Sequence, residues 1–421
     1  MNPDPSQLAQ HPPAQPARGK GSVREVFWAF LRLGCTSFGG PVAHLGYFRE
    51  AFVVRRRWLD DSAFGDMVAL SQFLPGPASS QVGMALGVMR AGIAGGIAAW
   101  CGFTLPSALA MIVFAWGVIG LGQSADAGLL HGLKVVAVAV VAQAVWGMAR
   151  TMAPDRSRAT LAVLCAVLVL MLPITIAQIA AMASGALLGA LLLKDAAPSG
   201  RGASVSPIGW RTGIACLAAF AMLLAGLPLL ARVSGSPEVA QLESFYRSGS
   251  LIFGGGHVVL PLLQSELVPR GWIGNDAFLA GYGAAQAVPG PLISFSAYLG
   301  TMMAEQAYGS RAGAPLWPAL GGLAALGAIF LPSFLLVFGA LPFWHRMAQL
   351  ARAQAALRGV NAAVVGILLA ALYDPVWRSA IRGPGDVALA LAAFGLLSVW
   401  RAPPWVVVAL CGLAGAARSI G

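Results

Sequence analysis

The sequence predicts an all-α membrane protein that crosses the bilayer several times and consists of two homologous repeats with broken, re-entrant helices. Of the 421 residues, 58% are hydrophobic and 10% are charged, whereas a soluble domain has about 25% charged residues. Apolar runs of about 20 residues, the length that a helix needs to cross a bilayer, recur along most of the chain. A third observation is that the two halves repeat each other at a nearly constant offset.

The first repeat is predicted to span residues 23–193, after a polar, disordered tail at 1–22. Its first apolar stretch is broken by Gly39-Gly40-Pro41, and a second one is broken by Pro75-Gly76-Pro77. Long spans at about 92–121 and 130–150 follow, and the apolar residues 159–193, with Pro173 in the middle, predict two short spans in a tight hairpin.

The second repeat is predicted to span residues 233–421 and to follow the same plan. Residues 194–232 connect the repeats: a small, polar linker rich in Gly and Pro is followed by one span at about 210–231. After the Gly254-Gly255-Gly256 and Pro289-Gly290-Pro291 breaks, further spans are predicted at about 317–343, 355–373, 385–400 and 404–420.

The duplication can be counted. Phe30, Arg32, Gly34, Phe38, Gly39 and Gly40 each match a residue of the same type 215 positions later (245 − 30 = 215). Trp58, Phe64, Gln72, Pro75, Gly76 and Pro77 each match one 214 positions later (272 − 58 = 214). Leu105-Pro106-Ser107 matches Leu331-Pro332-Ser333 at an offset of 226. Such a series predicts one ancestral unit, duplicated and fused.

Basic residues predict the orientation. The loops at 49–57, 150–158 and 194–211 are basic, and the positive-inside rule places them in the cytoplasm. They can share one side only if the segments carrying the Gly and Pro breaks enter and leave the membrane on that side. The span at 210–231 then carries the chain across, so the second repeat is predicted to be inverted. Inverted repeats with broken helices are typical of secondary transporters.

Composition and residue spacing argue against several other classes. The net charge of +11 would suggest nucleic acid on a soluble chain, but here the bases lie mostly at the ends of apolar runs, where they contact lipid headgroups. The five cysteines are scattered, with no histidine at ligand spacing, and there is no nucleophile–base pair or nucleotide loop. We therefore predict membrane lipid as a partner, and no nucleic acid, metal, cofactor or enzyme activity. A homo-oligomer is compatible with the sequence.

The breaks predict an anion site. Broken helix is tolerated in a bilayer only where it faces protein or a watery cavity. New helix N-termini expose N–H groups that attract anions, and glycine lets a ligand approach them closely. The residues predicted to bind substrate at the breaks are Phe38, Gly39, Gly40, Pro75, Gly76, Pro77, Phe253, Gly254, Gly255, Gly256, Pro289, Gly290 and Pro291.

Arg32 and Arg247 each lie six residues before a Phe-Gly-Gly break. An arginine within a membrane segment costs on the order of 3 kcal/mol, so it usually has a partner or a function. A guanidinium suits a tetrahedral oxyanion, which makes both candidates for a clamp. The alternative is that they reach the headgroups or form a salt bridge with Glu25 or Glu50.

Five further polar residues are candidates. Gln72 and Gln286 lie three residues before the Pro-Gly-Pro breaks and offer neutral donors, or they form interhelical hydrogen bonds. His257 follows the second break and could carry a proton, or it is a buried structural histidine. Glu50 and Glu266 lie in matching polar stretches and are candidates for proton coupling, with an interfacial charge as the alternative.

At these residues the sequence resembles the chromate ion transporter family, in its long form with two fused domains. The resemblance lies in SFGGPVAHL, QFLPGPASSQ, FGGGHVVLPLL and GYGAAQAVPGPL, and it covers about residues 25–420. It implies efflux of chromate across the cytoplasmic (inner) membrane, conferring chromate resistance, with sulfate as a mimic that can compete. Membrane potential or a proton gradient would drive the efflux.

Other functions stay open on the residues alone. Backbone amides discriminate poorly among tetrahedral oxyanions, so a transporter of sulfate, molybdate or an organic anion is one alternative. A non-transporting membrane enzyme or a channel subunit is an alternative of a different class.

Overall fold

The computed structural model describes residues 21–121, 127–172, 174–193, 207–253, 256–312, 316–347 and 350–420, and within these ranges the chain is helical without β-strands. The predicted tail and the polar part of the linker lie almost entirely outside the described residues, as do Gly254 and Gly255. The helices of the first half are α1 (Val23–Thr36), α2 (Gly40–Phe48), α3 (Asp61–Phe73), α4 (Ala78–Leu121), α5 (Ala127–Met152), α6 (Arg156–Met171) and α7 (Ile174–Leu192).

A connecting helix, α8 (Trp210–Ser234), leads to the second half. Short 3-10 and π-helical segments join several of the helices there. These helices are α9 (Pro237–Ser250), α10 (Val259–Leu267), α11 (Asn275–Ala285), α12 (Phe295–Ala312), α13 (Leu316–Ala340), α14 (Trp344–Met347), α15 (Ala351–Ala371), α16 (Arg378–Ala380), α17 (Pro384–Ser398) and α18 (Pro404–Ile420).

The predicted spans are confirmed by apolar helices. Five described helices are long and apolar enough to cross a bilayer: 78–120, 128–152, 210–234, 316–343 and 351–380. Three shorter apolar helices lie at 177–192, 384–398 and 404–418. The longest helix, α4, is two helices in line, because Ala91 and Gly92 leave helical geometry and Gly92 has a φ of +67°. This kink separates the segment ending at Arg90 from the long span that follows.

Matching side chains start the matching helices α1 and α9. The Ser22 hydroxyl accepts a hydrogen bond from the Glu25 N–H at 3.1 Å, and the Ser236 hydroxyl accepts one from the Val239 N–H at 3.3 Å. Each bond satisfies an N–H that a helix start leaves free. The two serines are 214 positions apart (236 − 22 = 214), so the repeat extends to helix capping.

The broken segments return to the side on which they begin. Glu25, near the start of α1, accepts hydrogen bonds from Trp58 Nε1 at 3.1 Å and Arg90 Nη2 at 3.2 Å, which gathers three segment ends at one place. In the second half, the Tyr308 hydroxyl of α12 donates to Glu238 at the start of α9. The broken segments of both halves therefore fold back toward the end at which they begin, which is the chain path of a re-entrant segment.

The two halves exchange packing partners. Helix α5 of the first half packs against α17 and α18 of the second, and α15 of the second half packs against α6 and α7 of the first. Small residues allow this closeness: a Cβ on Gly359 of α15 would collide with the Gly185 carbonyl oxygen of α7. Likewise, a Cβ on Gly132 of α5 would collide with the Cys411 carbonyl oxygen of α18. Such small-residue contacts are how helices associate in lipid, where burial adds little.

Helix α8 lies at the edge of this arrangement. None of its most apolar 18-residue window is buried within the chain, so its apolar side chains face outward. Met222, Leu229 and Leu230, for example, are all more than half exposed. In a bilayer this surface contacts lipid, which gives the connecting helix a membrane-crossing role without a place in the core.

Candidate functional site

The four breaks meet. The Gly76 N–H of the first Pro-Gly-Pro donates to the Ile252 carbonyl oxygen at 2.6 Å, directly before the second Phe-Gly-Gly. The Gly290 N–H of the second Pro-Gly-Pro donates to the Ser37 carbonyl oxygen at 2.9 Å, directly before the first Phe-Gly-Gly. The donors are 214 positions apart (290 − 76) and the acceptors 215 (252 − 37), so the two bonds are related by the repeat. Each break in one half is thus tied to a break in the other.

Serines from the long helices close in on both Pro-Gly-Pro turns, again across the halves. A Cβ on Gly76 would collide with the Ser333 hydroxyl of α13, and one on Gly290 would lie 3.0 Å from the Ser107 hydroxyl of α4. The two glycines have φ values of +132° and +102°, which favour glycine over other residues. Backbone geometry and close packing therefore both require glycine at the two turns.

The first break faces His257 of the second half. A Cβ on Gly40 would lie 3.8 Å from His257 Nε2, and the other ring nitrogen, Nδ1, lies 3.1 Å from the Tyr282 hydroxyl oxygen. Gly40 begins α2, whose N-terminus has no side-chain cap, and Pro41 occupies the first turn. A helix N-terminus of this kind carries partial positive charge, and His257 adds a ring nitrogen opposite it.

Seven of the fourteen buried polar atoms without a described hydrogen bond, counted over the described residues, lie in or beside the segments that meet at the breaks. Buried polar atoms are nearly always paired, so such atoms indicate a place where water or a polar ligand completes the hydrogen bonding. The seven atoms are Ser37 Oγ, His44 Nε2, Ser80 Oγ, Gln81 Oε1, Thr104 Oγ1, Gln286 Nε2 and Ser333 Oγ.

Arg247 is held by two carboxylates. Its Nε donates to Glu243 at 2.6 Å, and its Nη1 and Nη2 donate to the two oxygens of Glu266 at 2.8 and 2.7 Å. Arg270 Nη2 also reaches Glu266, at 3.2 Å. Two positive and two negative charges balance in this cluster, so in this conformation Arg247 is engaged by protein groups. The salt-bridge alternative describes its geometry, with Glu243 and Glu266 as the partners instead of Glu25 or Glu50.

Three of the predicted residues lie apart from the breaks' meeting point. Arg32 and Gln72 are exposed, and no ion pair is described for Arg32. Glu50 is exposed and pairs with Arg55 at 2.8 Å. Whether these residues take part in binding or coupling stays a prediction.

The other predicted residues that the structure describes lie in or beside the segments that meet. Phe38 and Phe253 are partly buried, and the carbonyl oxygen of Pro75 accepts a hydrogen bond from Gln81 Nε2 at 2.6 Å. Pro77, Gly256 and Pro291 are buried and Pro289 is partly buried. Their role in binding also stays a prediction.

Sequence reasoning missed several polar residues at this place. Ser107 and Ser333 belong to the repeated Leu-Pro-Ser motif, but nothing in that motif indicates that each serine meets the other half's turn. Gln81 and Tyr282 lie inside the quoted motifs, four residues after Pro77 and four before Gln286 respectively. The repeat itself was the available signal, because a polar residue matched in both halves is a candidate for the shared centre.

Comparison with known proteins decides the family. The family model described as "Chromate transporter" matches residues 24–190 and 239–416, once in each half. The chain belongs to the chromate transporter family. Its members are transporters, so the protein is a multi-pass membrane transporter and not an enzyme, and the family implies an anion as substrate and lipid as surroundings.

Curated relatives extend the match to nearly the whole length. The chromate transport protein of Pseudomonas aeruginosa is 29% identical over 409 residues, covering 94% of this chain and 92% of its own. The chromate transport protein of Cupriavidus metallidurans is 26% identical, covering 93% of both chains. The uncharacterized transporter YwrB of Bacillus subtilis is 31% identical over 118 residues, which is 28% of this chain. No solved structure matches the chain.

Proposed function

We propose that this transporter exports chromate from the cytoplasm across the inner membrane and so confers chromate resistance. The observation that carries the proposal is the crossed pair of hydrogen bonds from Gly76 and Gly290, because it gathers both helix breaks of both halves into one place. The long relatives are named chromate transport proteins, which supports chromate as the substrate.

The anion is proposed to bind between the N-terminus of α2 and His257. The uncapped N-terminus supplies N–H groups and partial positive charge, and His257 Nε2 lies close to it, 3.8 Å from the position that a Cβ on Gly40 would take. Unpartnered hydroxyl and amide groups, such as those of Ser333 and Gln286, supply further donors. The predicted residues at the breaks would thus bind mainly through backbone amides and neutral side chains.

Backbone and hydroxyl donors recognise tetrahedral oxygens in general, so sulfate is expected to compete with chromate. Adding unlabelled sulfate to a flux assay measures this directly. Molybdate should compete as well, and the ratio of inhibition constants reports how selective the site is.

Export needs no ATP site. An inside-negative potential favours expulsion of a charge by about 2.3 kcal/mol per 100 mV, so roughly 4.6 kcal/mol for a dianion. At about 1.4 kcal/mol per decade, this supports a gradient of some three decades. Import would have to overcome the same term with coupled cations. Potential-driven export, with proton entry as a further drive, is therefore the energetically direct mechanism.

We further propose that the repeats, 23–193 and 233–421, are joined by 194–232 and have opposite orientations in the membrane. The basic loops of the first half then lie in the cytoplasm, and α8 carries the chain to the other side. Single cysteines placed in loops and labelled from outside in whole cells would test this. Equal accessibility of residues matched between the halves would refute inversion.

Export is tested with everted membrane vesicles, in which the cytoplasmic face points outward. Energised vesicles containing the protein are expected to accumulate labelled chromate, and an uncoupler should abolish the uptake. Vesicles that accumulate no chromate above a control without the protein would refute the function. Uptake that ignores the uncoupler would refute the energy coupling alone.

The binding site is tested by Gly40→Ala. The new methyl group would lie 3.8 Å from His257 Nε2, an ordinary contact, so it fits the structure but occupies the proposed anion position. The φ of +79° makes alanine unfavourable by about 1–2 kcal/mol. We expect chromate flux to fall at least tenfold while the protein still inserts and folds. Flux equal to that of the wild type would show that the anion binds elsewhere.

Proton coupling is proposed to act through Glu266. A proton on this carboxylate would weaken its two bonds to Arg247 and free the guanidinium for an anion. Glu266→Gln removes the titratable group and keeps the size, so flux should lose its dependence on pH. Glu50→Gln tests the other candidate carboxylate in the same assay, since Glu50 is exposed and pairs with Arg55 instead of with a site arginine. A pH dependence unchanged in Glu266→Gln would exclude this carboxylate.

A further inference from the structure

A cavity of about 390 Å³ opens beside the first break, between the two halves. Phe38 and Gly39 line it from the first half, and the turn between α17 and α18 closes it from the second, with Arg401 and Trp405. The other lining residues are Tyr47, Leu397, Ala402, Pro403 and Pro404. None of them is acidic, so Arg401 gives the cavity a net positive charge. Anions would be concentrated there relative to bulk solution.

Arg401 differs from the other arginines near the site. Arg247 is neutralised by Glu243 and Glu266, and Arg378 is paired with Asp374 at 2.7 Å. Arg401 is exposed, and no carboxylate among the described residues pairs with it. Its charge is therefore available to a ligand.

The backbone at Arg401 has a conformation that arginine rarely adopts. Its φ is +52°, in the region that favours glycine, and Arg57 is the other non-glycine residue with a positive φ in the described part of the chain. The turn is fixed in place by the hydrogen bonds from Trp400 N to the Gly395 carbonyl oxygen, at 3.2 Å, and from Ala402 N to that of Leu396, at 2.9 Å. Glycine would fit this conformation with less strain than the arginine that the sequence has at this position.

A second cavity, of about 500 Å³, occupies the matching place in the other half. It lies between the end of α6, with Leu172, and α10, with Pro261 and Gln264, which correspond in chain order to the α17–α18 turn and α2. Its arginine, Arg378, is the one paired with Asp374. The two cavities thus share these two walls and differ in charge, and the second is lined in addition by α15 and residues 374–379.

We propose that Arg401 is the capture residue for the oxyanion, at the mouth of a cytoplasmic vestibule leading to the first break, and that the uncharged second cavity is the exit. This rests on the proposed chromate export and its orientation. With the basic loops of the first half in the cytoplasm, the α17–α18 turn also falls on the cytoplasmic side. The charge difference then makes capture of an oxyanion more efficient at the cytoplasmic face than at the other face, while the membrane potential sets the direction of net flux.

The test compares Arg401→Gly, Arg401→Lys and Arg57→Gly in the full-length protein, with labelled chromate offered to each face of oriented vesicles. Arg57→Gly is the matched control, because it also removes one exposed positive charge at a positive φ, and its counterpart in the second repeat is Gly271 with a φ of +70° (271 − 57 = 214). It lines neither cavity. Thermal unfolding of each variant is measured in parallel.

Arg401→Gly is expected to raise the KM for chromate about tenfold at the cytoplasmic face. This is the change expected when the attraction between a unit positive charge and a dianion about 5 Å away is lost in a water-like dielectric. The KM at the other face should stay unchanged. The Tm should stay unchanged or rise slightly, because glycine relieves the backbone strain at this position. Arg401→Lys should keep most of the affinity. In about 1 M salt, where the screening length is about 3 Å, the difference in KM between Arg401→Gly and the wild type should shrink.

An unchanged KM in Arg401→Gly, an equal rise at both faces, or the same rise in Arg57→Gly would overturn the proposal. Failure of the export function itself has a different signature, because the wild type would then move no chromate. In that case, equilibrium titration of the purified protein with chromate decides the role of Arg401. Equal affinity in Arg401→Gly and the wild type would refute capture, and a tenfold weaker affinity would support it.

Discussion

Substituting Gly76 by alanine tests whether the crossed contact between the halves organises the protein. Gly76 has a φ of +132° and donates its N–H to the Ile252 carbonyl oxygen at 2.6 Å. A Cβ there would collide with the Gln81 side chain and the Ser333 hydroxyl. The methyl group therefore opposes the local backbone conformation and the packing across the halves at once.

The expected loss follows from these contacts. A non-glycine residue at such a φ costs on the order of 1–3 kcal/mol, and overpacking adds about 1–3 kcal/mol. Weakening one hydrogen bond adds about 1 kcal/mol. Because neighbouring terms do not simply add, we expect Gly76→Ala to lower the free energy of unfolding by about 3–5 kcal/mol. Gly290→Ala should cost less, since its nearest atoms, Ser107 Oγ and the Phe103 carbonyl oxygen, lie at 3.0 and 3.2 Å.

The assay is thermal unfolding of the purified protein together with chromate flux in vesicles. Gly147→Ala, on the exposed face of α5, is the control, because nothing lies within 4 Å of its added Cβ. It should be neutral or slightly stabilising, as Ala favours a helix. The expected order of loss is Gly76→Ala, then Gly290→Ala, then Gly147→Ala. If Gly76→Ala matched the control in both stability and flux, the crossing would have no organising role.

Three further predictions test the surrounding structure. Gly359→Ala should cost about 1–3 kcal/mol of stability, measured by thermal unfolding, because its Cβ would collide with the α7 backbone; Gly117→Ala, which meets nothing within 4 Å, should not. Asp155→Ala should cost about 1 kcal/mol in the same assay, because the Asp155 side chain accepts the Arg158 N–H at 2.9 Å and caps α6. The same bond holds the pKa of Asp155 below its usual range, so its stabilisation should be present near neutral pH and be lost as the pH falls through that lowered pKa, as a pH series of unfolding curves would show.

Much of the fold was predictable because the signals are local or repeated. Apolar run length predicts the long spans, and Gly and Pro in apolar surroundings predict the breaks. The matched offsets then predict that each structural element of one half recurs in the other half. The kink at Gly92 and the hairpin of α6 and α7 also follow from residues next to the features themselves.

The partners across the halves were not predictable in the same way. That Gly76 bonds to Ile252, and that Ser333 closes on the same turn, depends on how two repeats dock, and no local pattern encodes docking. Arg247 shows a second limit. Its spacing from the break is repeated, but its partner Glu243 is not, since Trp28 stands at the matching position (243 − 28 = 215). A residue that breaks the repeat in this way makes the charges of the two halves differ.

We propose that the crossed packing of the two halves is the mechanical basis for alternating access in this transporter. The α17–α18 turn, which walls the Arg401 cavity, belongs to a hairpin held by α5 of the other half, while the matching hairpin of α6 and α7 is held by α15. Tight glycine contacts make each such pair move as a unit, because backbone in van der Waals contact has no slack. A shift of α5 with its hairpin would then change the first cavity, and the paired hydrogen bonds at Gly76 and Gly290 would transmit that shift to the other half. Opening on one side would therefore work against opening on the other, while the membrane potential sets the direction of net transport.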